Sequence, residues 1–164
     1  MLFKVVLPTS SITKPDPLYN ASMTAGSSTN NNSYEYYTWR RAIDTVADPE
    51  AVDMNLLAAP GLTVTDLTTH MINVCEDRGD ALAMIDLPDV YIPPQEAYKS
   101  NKADRIGTTP TQAAIALKDR RIDSSYGCSF YPWVQAVDES SGQLLWVPPS
   151  VAMMGVLASS EKVS

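Results

Sequence analysis

The residues of this chain that could do chemistry are few and far apart. His70 is the only histidine. It falls on the apolar side of an amphipathic stretch, and a lone imidazole without a local Cys or carboxylate cluster gives no metal-ligand spacing. A packed or partly exposed histidine is expected. Asp86 closes the apolar run ALAMIDL at residues 81–87. Ligand sites of α/β proteins gather at strand ends, so a nucleophile or a metal ligand could stand at Asp86. No second carboxylate lies at a spacing that would complete such a site, and Asp89 is separated from it by Pro88. Catalysis needs converging groups, so capping of a backbone end is the expected role.

Other candidates weaken on the same test. Cys75 and Cys128 lack C-x-x-C spacing and are expected to be buried, reduced thiols, which fits an intracellular folding environment. Gly127-Cys128-Ser129 is not the G-x-S-x-G elbow of a serine hydrolase. Neither a dinucleotide fingerprint nor a phosphate loop occurs, so no cofactor is expected. Arg78-Gly79-Asp80 spells an adhesion tripeptide, but it sits between a helix and a strand, where glycine is the natural helix stop. Tyr126, Phe130, Tyr131, Trp133 and Trp146 could stack a sugar. Their alternation and their nearness to Pro132, Pro148 and Pro149 favour core and interface anchors instead.

Composition narrows the function classes. The chain has 164 residues, 45% of them hydrophobic and 19% charged, with a net charge of −7. Nucleic acid is not an expected partner, because binding phosphates needs clustered Lys and Arg. The only adjacent basic pairs are Arg40-Arg41 and Arg120-Arg121. No apolar run approaches the ~20 residues that span a bilayer, so no direct membrane insertion is expected. The apolar start MLFKVVL is too short for a secretory signal.

The elements that would position these residues follow from periodicity. Residues 2–7 read as a strand, and residues 8–33, rich in Ser, Thr, Asn and Pro, as a flexible loop or insertion. Trp39, Ala42, Ile43 and Val46 keep helical spacing, which predicts a helix over 38–47, stopped by Asp48-Pro49. Residues 55–59 read as a strand ending at Pro60-Gly61. Thr65 or Asp66 would cap a helix over 65–78, with Leu67, His70, Met71, Val74 and Cys75 on one side and Gly79 as its stop. With the strand at 81–87 this makes a β-α-β unit. Thr109 would cap a helix over 110–120. An aromatic strand, a hairpin over 134–147 and a helix over 149–158 complete the chain. The expected fold class is α/β: a mainly parallel sheet flanked by helices, with a carboxyl-terminal hairpin and helix. The expected organisation is a core domain over 34–164, incomplete at its carboxyl end.

These pieces, in this order, resemble the tail sheath proteins of contractile bacteriophages. The family pattern runs roughly S-s-Y…Y-y-P-W-v…v-P-P-S…a-G-x-x-A-R-t-D. Matching it here are DSSY at 123–126, FYPWV at 130–134, VPPS at 147–150 and GVLA at 155–158. NLLAAPGL at 55–62 and CEDRGDALAMID at 75–86 resemble its upstream strands and turn. The likeness covers residues 38–160; where the family has A-R-t-D, this chain has Ala158-Ser159-Ser160-Glu161. The resemblance implies a structural subunit, not an enzyme. It would stack helically with other sheath subunits around an inner tail tube protein and meet baseplate and tail terminator proteins. It would assemble in the host bacterial cytoplasm, reside in the virion tail, and contract during genome delivery. Terminal arms of the family add strands to neighbouring subunits. Assembly or core anchors would be Tyr126, Tyr131, Pro132, Trp133, Trp146, Pro148 and Pro149. The alternatives are a small α/β hydrolase or metal-dependent enzyme built on Asp86, and a binding module built on the aromatic patch.

Overall fold

A computed structural model describes residues 18, 23, 34–88, 90–91 and 107–163. The strand expected at 2–7, and the loop expected at 8–33 apart from Leu18 and Met23, lie outside the described residues. Met23 is buried in the core and Leu18 packs against it.

The first helix, α1 (Tyr34–Thr45), starts a turn earlier than its apolar spacing predicts. Its inner face is Tyr36, Trp39 and Ile43, while Ala42 is exposed. Tyr36 thus adds a turn of contact that a pattern beginning at Trp39 misses. The helix stops before Asp48-Pro49, where Asp48 Oδ1 accepts from the Glu50 amide at 2.9 Å and turns the chain.

Next comes the β-α-β unit. Strand β1 (Leu56–Ala58) and strand β2 (Leu82–Asp86) pair in parallel, Leu56 opposite Leu82 and Ala58 opposite Met84. Between them runs α2 (Thr65–Arg78). Neither Thr65 nor Asp66 caps it. Val64 holds the cap position without a side-chain bond, and Thr68 turns its hydroxyl back to donate to Val64 O at 2.9 Å. The other end is as expected: Gly79 adopts φ 74° and its N–H donates to Cys75 O. A residue with a Cβ is strained in that left-handed conformation, which is why glycine ends the helix.

Helix α3 (Pro110–Asp119) opens on a full capping box between Thr109 and Gln112. It leads to β3 (Gly127–Phe130), which pairs in parallel with β2, Met84 opposite Cys128 and Asp86 opposite Phe130. The sheet order is β1-β2-β3, so β2 is central and Ala83, Met84, Ile85 and Asp86 are all buried. A parallel strand covered on both faces reads as such a continuous apolar run. Leu62, Leu67, Met71, Cys75 and Ala83 form the heart of the core.

After the cis Tyr131–Pro132 bond, the antiparallel hairpin β4 (Val134–Val137) and β5 (Leu144–Val147) follows. Its turn is tied by Gly142 N–H to Asp138 O and by Ser140 and Ser141 hydroxyls to the Asp138 carboxylate. Those bonds, Ser141's first, hold the Asp138 carboxyl below its ordinary pKa. The last helix, α4 (Pro149–Val163), packs on β2 and β3. It runs past the expected stop at residue 158, through Ser159, Ser160 and Glu161. The architecture is therefore α/β, a three-stranded parallel sheet with flanking helices and a carboxyl-terminal strand pair and helix.

Candidate functional site

Asp86 is at the end of β2, where the sheet meets α4. It is 2% exposed and accepts hydrogen bonds on both oxygens. Oδ2 takes the Gly61 N–H at 2.9 Å and the Ser150 hydroxyl at 2.7 Å, and Oδ1 takes the Ser150 N–H at 3.1 Å. The local sequence explains why a distant carboxylate is used. Pro148, before the helix, has no side-chain acceptor, and Pro149 has no N–H. The first-turn amide of Ser150 therefore finds its partner 64 residues away, and a carboxylate there also complements the helix dipole. The same group fixes the turn after β1. Asp86 thus caps α4 and joins three parts of the fold, and its bonds face protein donors instead of an open cleft. Among the described residues no group of His, Cys, Asp and Glu could hold a metal ion.

An aromatic belt runs beside this node. Trp133 is 3% exposed, and its indole N–H donates to Leu87 O at 2.9 Å. The Tyr131 hydroxyl donates to Thr108 O. Tyr126 packs against the core, Pro149 is buried, and Pro132, Trp146 and Pro148 are half-buried. Trp133, Tyr131 and Tyr126 are thus engaged in backbone bonds or core packing. The ring pair among the described residues is instead Tyr36 with Tyr37, in α1.

Beyond the belt the surface changes character. Val134, Val137 and Leu144 of the hairpin and Val151, Val156 and Leu157 of α4 are all exposed, Val137 by 61%. One side of α4 presents a shallow groove along Ala152, Gly155, Val156 and Ser159. A two-stranded hairpin is marginal in water unless something packs on it, and clustered exposed apolar side chains mark contact surfaces.

The remaining candidates have structural partners. His70 is not in the core: its Nε2 lies 2.6 Å from Asp44 Oδ1, pinning α2 to α1. The Arg78 side chain is 1% exposed, so the tripeptide at 78–80 displays no arginine. Its guanidinium donates to Val46 O, Val52 O and both Asp80 oxygens. That hydrogen bond to Asp80 raises the arginine's pKa and holds the aspartate's below its usual value. Both cysteines are free. Cys75 is buried as expected, but Cys128 is only half-buried, on a strand that is at the sheet edge among the described residues. Desolvation pushes both thiol pKa values up, away from the reactive thiolate.

Sequence reading missed Ser150 and Gly61 as partners of Asp86. The signal was present in part: a Pro-Pro pair ahead of a helix leaves its first amide in need of an acceptor from elsewhere. No protein-family model matches the chain, and no curated protein sequence matches it.

Proposed function

We propose that this protein is a structural subunit of a contractile phage tail sheath, assembling helically with copies of itself around an inner tube and contracting during genome delivery. The observation that carries the reading is the apolar carboxyl-terminal surface. Val134, Val137, Leu144, Val151, Val156 and Leu157 are exposed on a hairpin and helix that are anchored from behind by Asp86 and Trp133. A rigidly seated module with an uncovered apolar face is what a repeating assembly needs. The ordered motifs at 55–62, 75–86, 123–134 and 147–158 support the same family. In this reading its partners are other sheath subunits, the tube protein, and baseplate and terminator proteins. Its place is the virion tail, and it works as a scaffold without a cofactor.

Electron microscopy of the purified protein, alone and with a tube protein, tests this. Regular rings or tubes are expected. A stable monomer with a hydrolytic activity that Asp86→Ala abolishes would replace the sheath reading with the enzyme one.

A further inference from the structure

A cleft of about 540 Å³ opens between α1, the first turns of α2 and the end of α3. Arg40 of α1, Asp66, Thr69 and Asn73 of α2, and Arg120 after α3 line it. Arg120 is incompletely satisfied. Its Nη2 donates to Thr65 O at 3.1 Å, Thr68 Oγ1 at 2.7 Å and Thr69 Oγ1 at 2.8 Å. Its Nε is buried and has no hydrogen-bond partner. Burial draws the arginine's pKa down from its ordinary value, and the charge of Asp66 only partly opposes this. Among the described residues no carboxylate bonds to it, the ion pairs there being His70 with Asp44 and Arg78 with Asp80. Arg40 has no hydrogen-bond or ion-pair partner among the described residues. His70 also lines the cleft, but Asp44 holds it.

The Nε has almost no accessible surface, so an anion in the cleft would meet the Nη1 N–H groups, which are neither bonded nor buried. The charges facing the cleft run against the rest of the chain. Two guanidinium groups meet one free carboxylate, Asp66, in a protein of net charge −7. Guanidinium groups bind two-oxygen anions through paired N–H bonds, the strongest class of polar contact. The Thr69 hydroxyl, an acceptor toward Arg120, still has its own proton to donate, and the Asn73 amide offers further donors. We propose that this cleft is a binding site for a small oxyanion, a carboxylate or a phosphate, gripped by Arg120 and Arg40 with Thr69 and Asn73 as neutral donors. The anion comes either free from solution or as an acidic side chain of a second copy. The site does not depend on the sheath reading.

The test titrates the intact protein with inorganic phosphate and with malonate, against sodium chloride at matched ionic strength, following amide NMR shifts. Saturable shifts at Thr69 and Asn73 beyond the chloride control are expected. Arg40→Gln should weaken the apparent affinity about tenfold, and Asp66→Asn should strengthen it several-fold, by removing a cation and a competing anion respectively. Both positions are exposed, so neither change endangers the fold. Sedimentation at rising protein concentration separates the sources. Self-association reversed by phosphate and by Arg40→Gln assigns the anion to a second copy, whereas saturable shifts on a monomer assign it to solution. Shifts no larger than those from chloride, or saturable shifts that neither variant alters, overturn the proposal.

Discussion

The two helices that pack on the central strand use similar lengths of chain in opposite ways. Helix α2, 14 residues long, buries Leu67, Thr68, Met71, Ile72, Val74 and Cys75. Helix α4, 15 residues long, buries only Pro149 and Ser150. Yet α4 is the more apolar of the two in sequence, VAMMGVLA against TTHMINVC. The hairpin before it repeats the contrast, since every residue of β4 is exposed while β2 is buried from Ala83 to Asp86. Apolar content alone therefore does not locate the core. In the β-α-β half, apolar side chains stabilise the fold by leaving water. In the carboxyl-terminal module Val134, Val137, Leu144, Val151, Val156 and Leu157 remain in water and are available to a partner, while a few buried polar bonds hold the module in place.

That contrast makes a firm prediction about where stability resides. Asp86→Ala strips the acceptor from the Gly61 and Ser150 amides and the Ser150 hydroxyl at once. The loss should be roughly 3–4 kcal/mol, because several buried donors lose this acceptor together. Urea unfolding followed by tryptophan fluorescence and by circular dichroism measures it. If the two halves were held by apolar contact alone, the variant would unfold like the parent. Gly107→Ala comes next. Gly107 has φ 58°, and a Cβ there would lie 1.9 Å from Val90 O. It pairs with Tyr91 across an isolated bridge, next to the Thr108 carbonyl that receives the Tyr131 hydroxyl. A loss of roughly 2–3 kcal/mol is expected in the same urea experiment, from strain and local displacement. A neutral result would show that the belt is anchored by Trp133 without this segment.

The order of sizes tracks what a sequence can reveal. Strand β2 is legible because a central parallel strand needs no alternation, and ALAMID has none. The ends at Gly79 and Thr109 are legible because capping chemistry is local. The start of α2 is not: Thr65 resembles a cap, but Val64 holds the cap position and Thr65 is the first helical residue. The node itself is illegible because Asp86 and Ser150 lie 64 residues apart, one on β2 and the other at the start of α4. The length of α4 was hidden because its apolar pattern ends at Ala158, while Ser159, Ser160, Glu161 and Lys162 are exposed and cost a helix little there. Whether an aromatic is core or surface also depends on assembly. Trp133 and Trp146 look alike in sequence, yet one is buried and bonded to Leu87 and the other is half-exposed at the hairpin.

Substitutions on the exposed side should separate association from folding. Val137→Lys and Val156→Lys place charges at positions 61% and 55% exposed. Each should change unfolding free energy by less than about 0.5 kcal/mol, the range of ordinary surface substitutions. On the proposed assembly reading, the pair should abolish rings or tubes while leaving the urea midpoint of the monomer in place. A midpoint that falls as far as in Asp86→Ala would mean that this face is part of the fold's own core, and the comparison between the two helices would fail.

The smallest effect is expected at acid pH, within the well-packed half. The Asp80 carboxyl is held below its ordinary pKa chiefly by the hydrogen bonds from Arg78. A group whose pKa is lower folded than unfolded contributes stability that is fully present above its unfolded value, near 3.9 for aspartate, and is lost as pH falls through the folded value. Asp80→Asn keeps the side-chain shape and removes that titration. At neutral pH the variant should melt slightly below the parent, and the gap should close as pH falls below about 4. Thermal melts of both proteins from pH 7 to pH 2 measure it. Arg78 keeps its bonds to Val46 O and Val52 O in the variant, so the loop between α1 and β1 stays anchored. A gap that persists unchanged to pH 2 would show that Asp80 acts through the geometry of the turn after Gly79 and not through its charge.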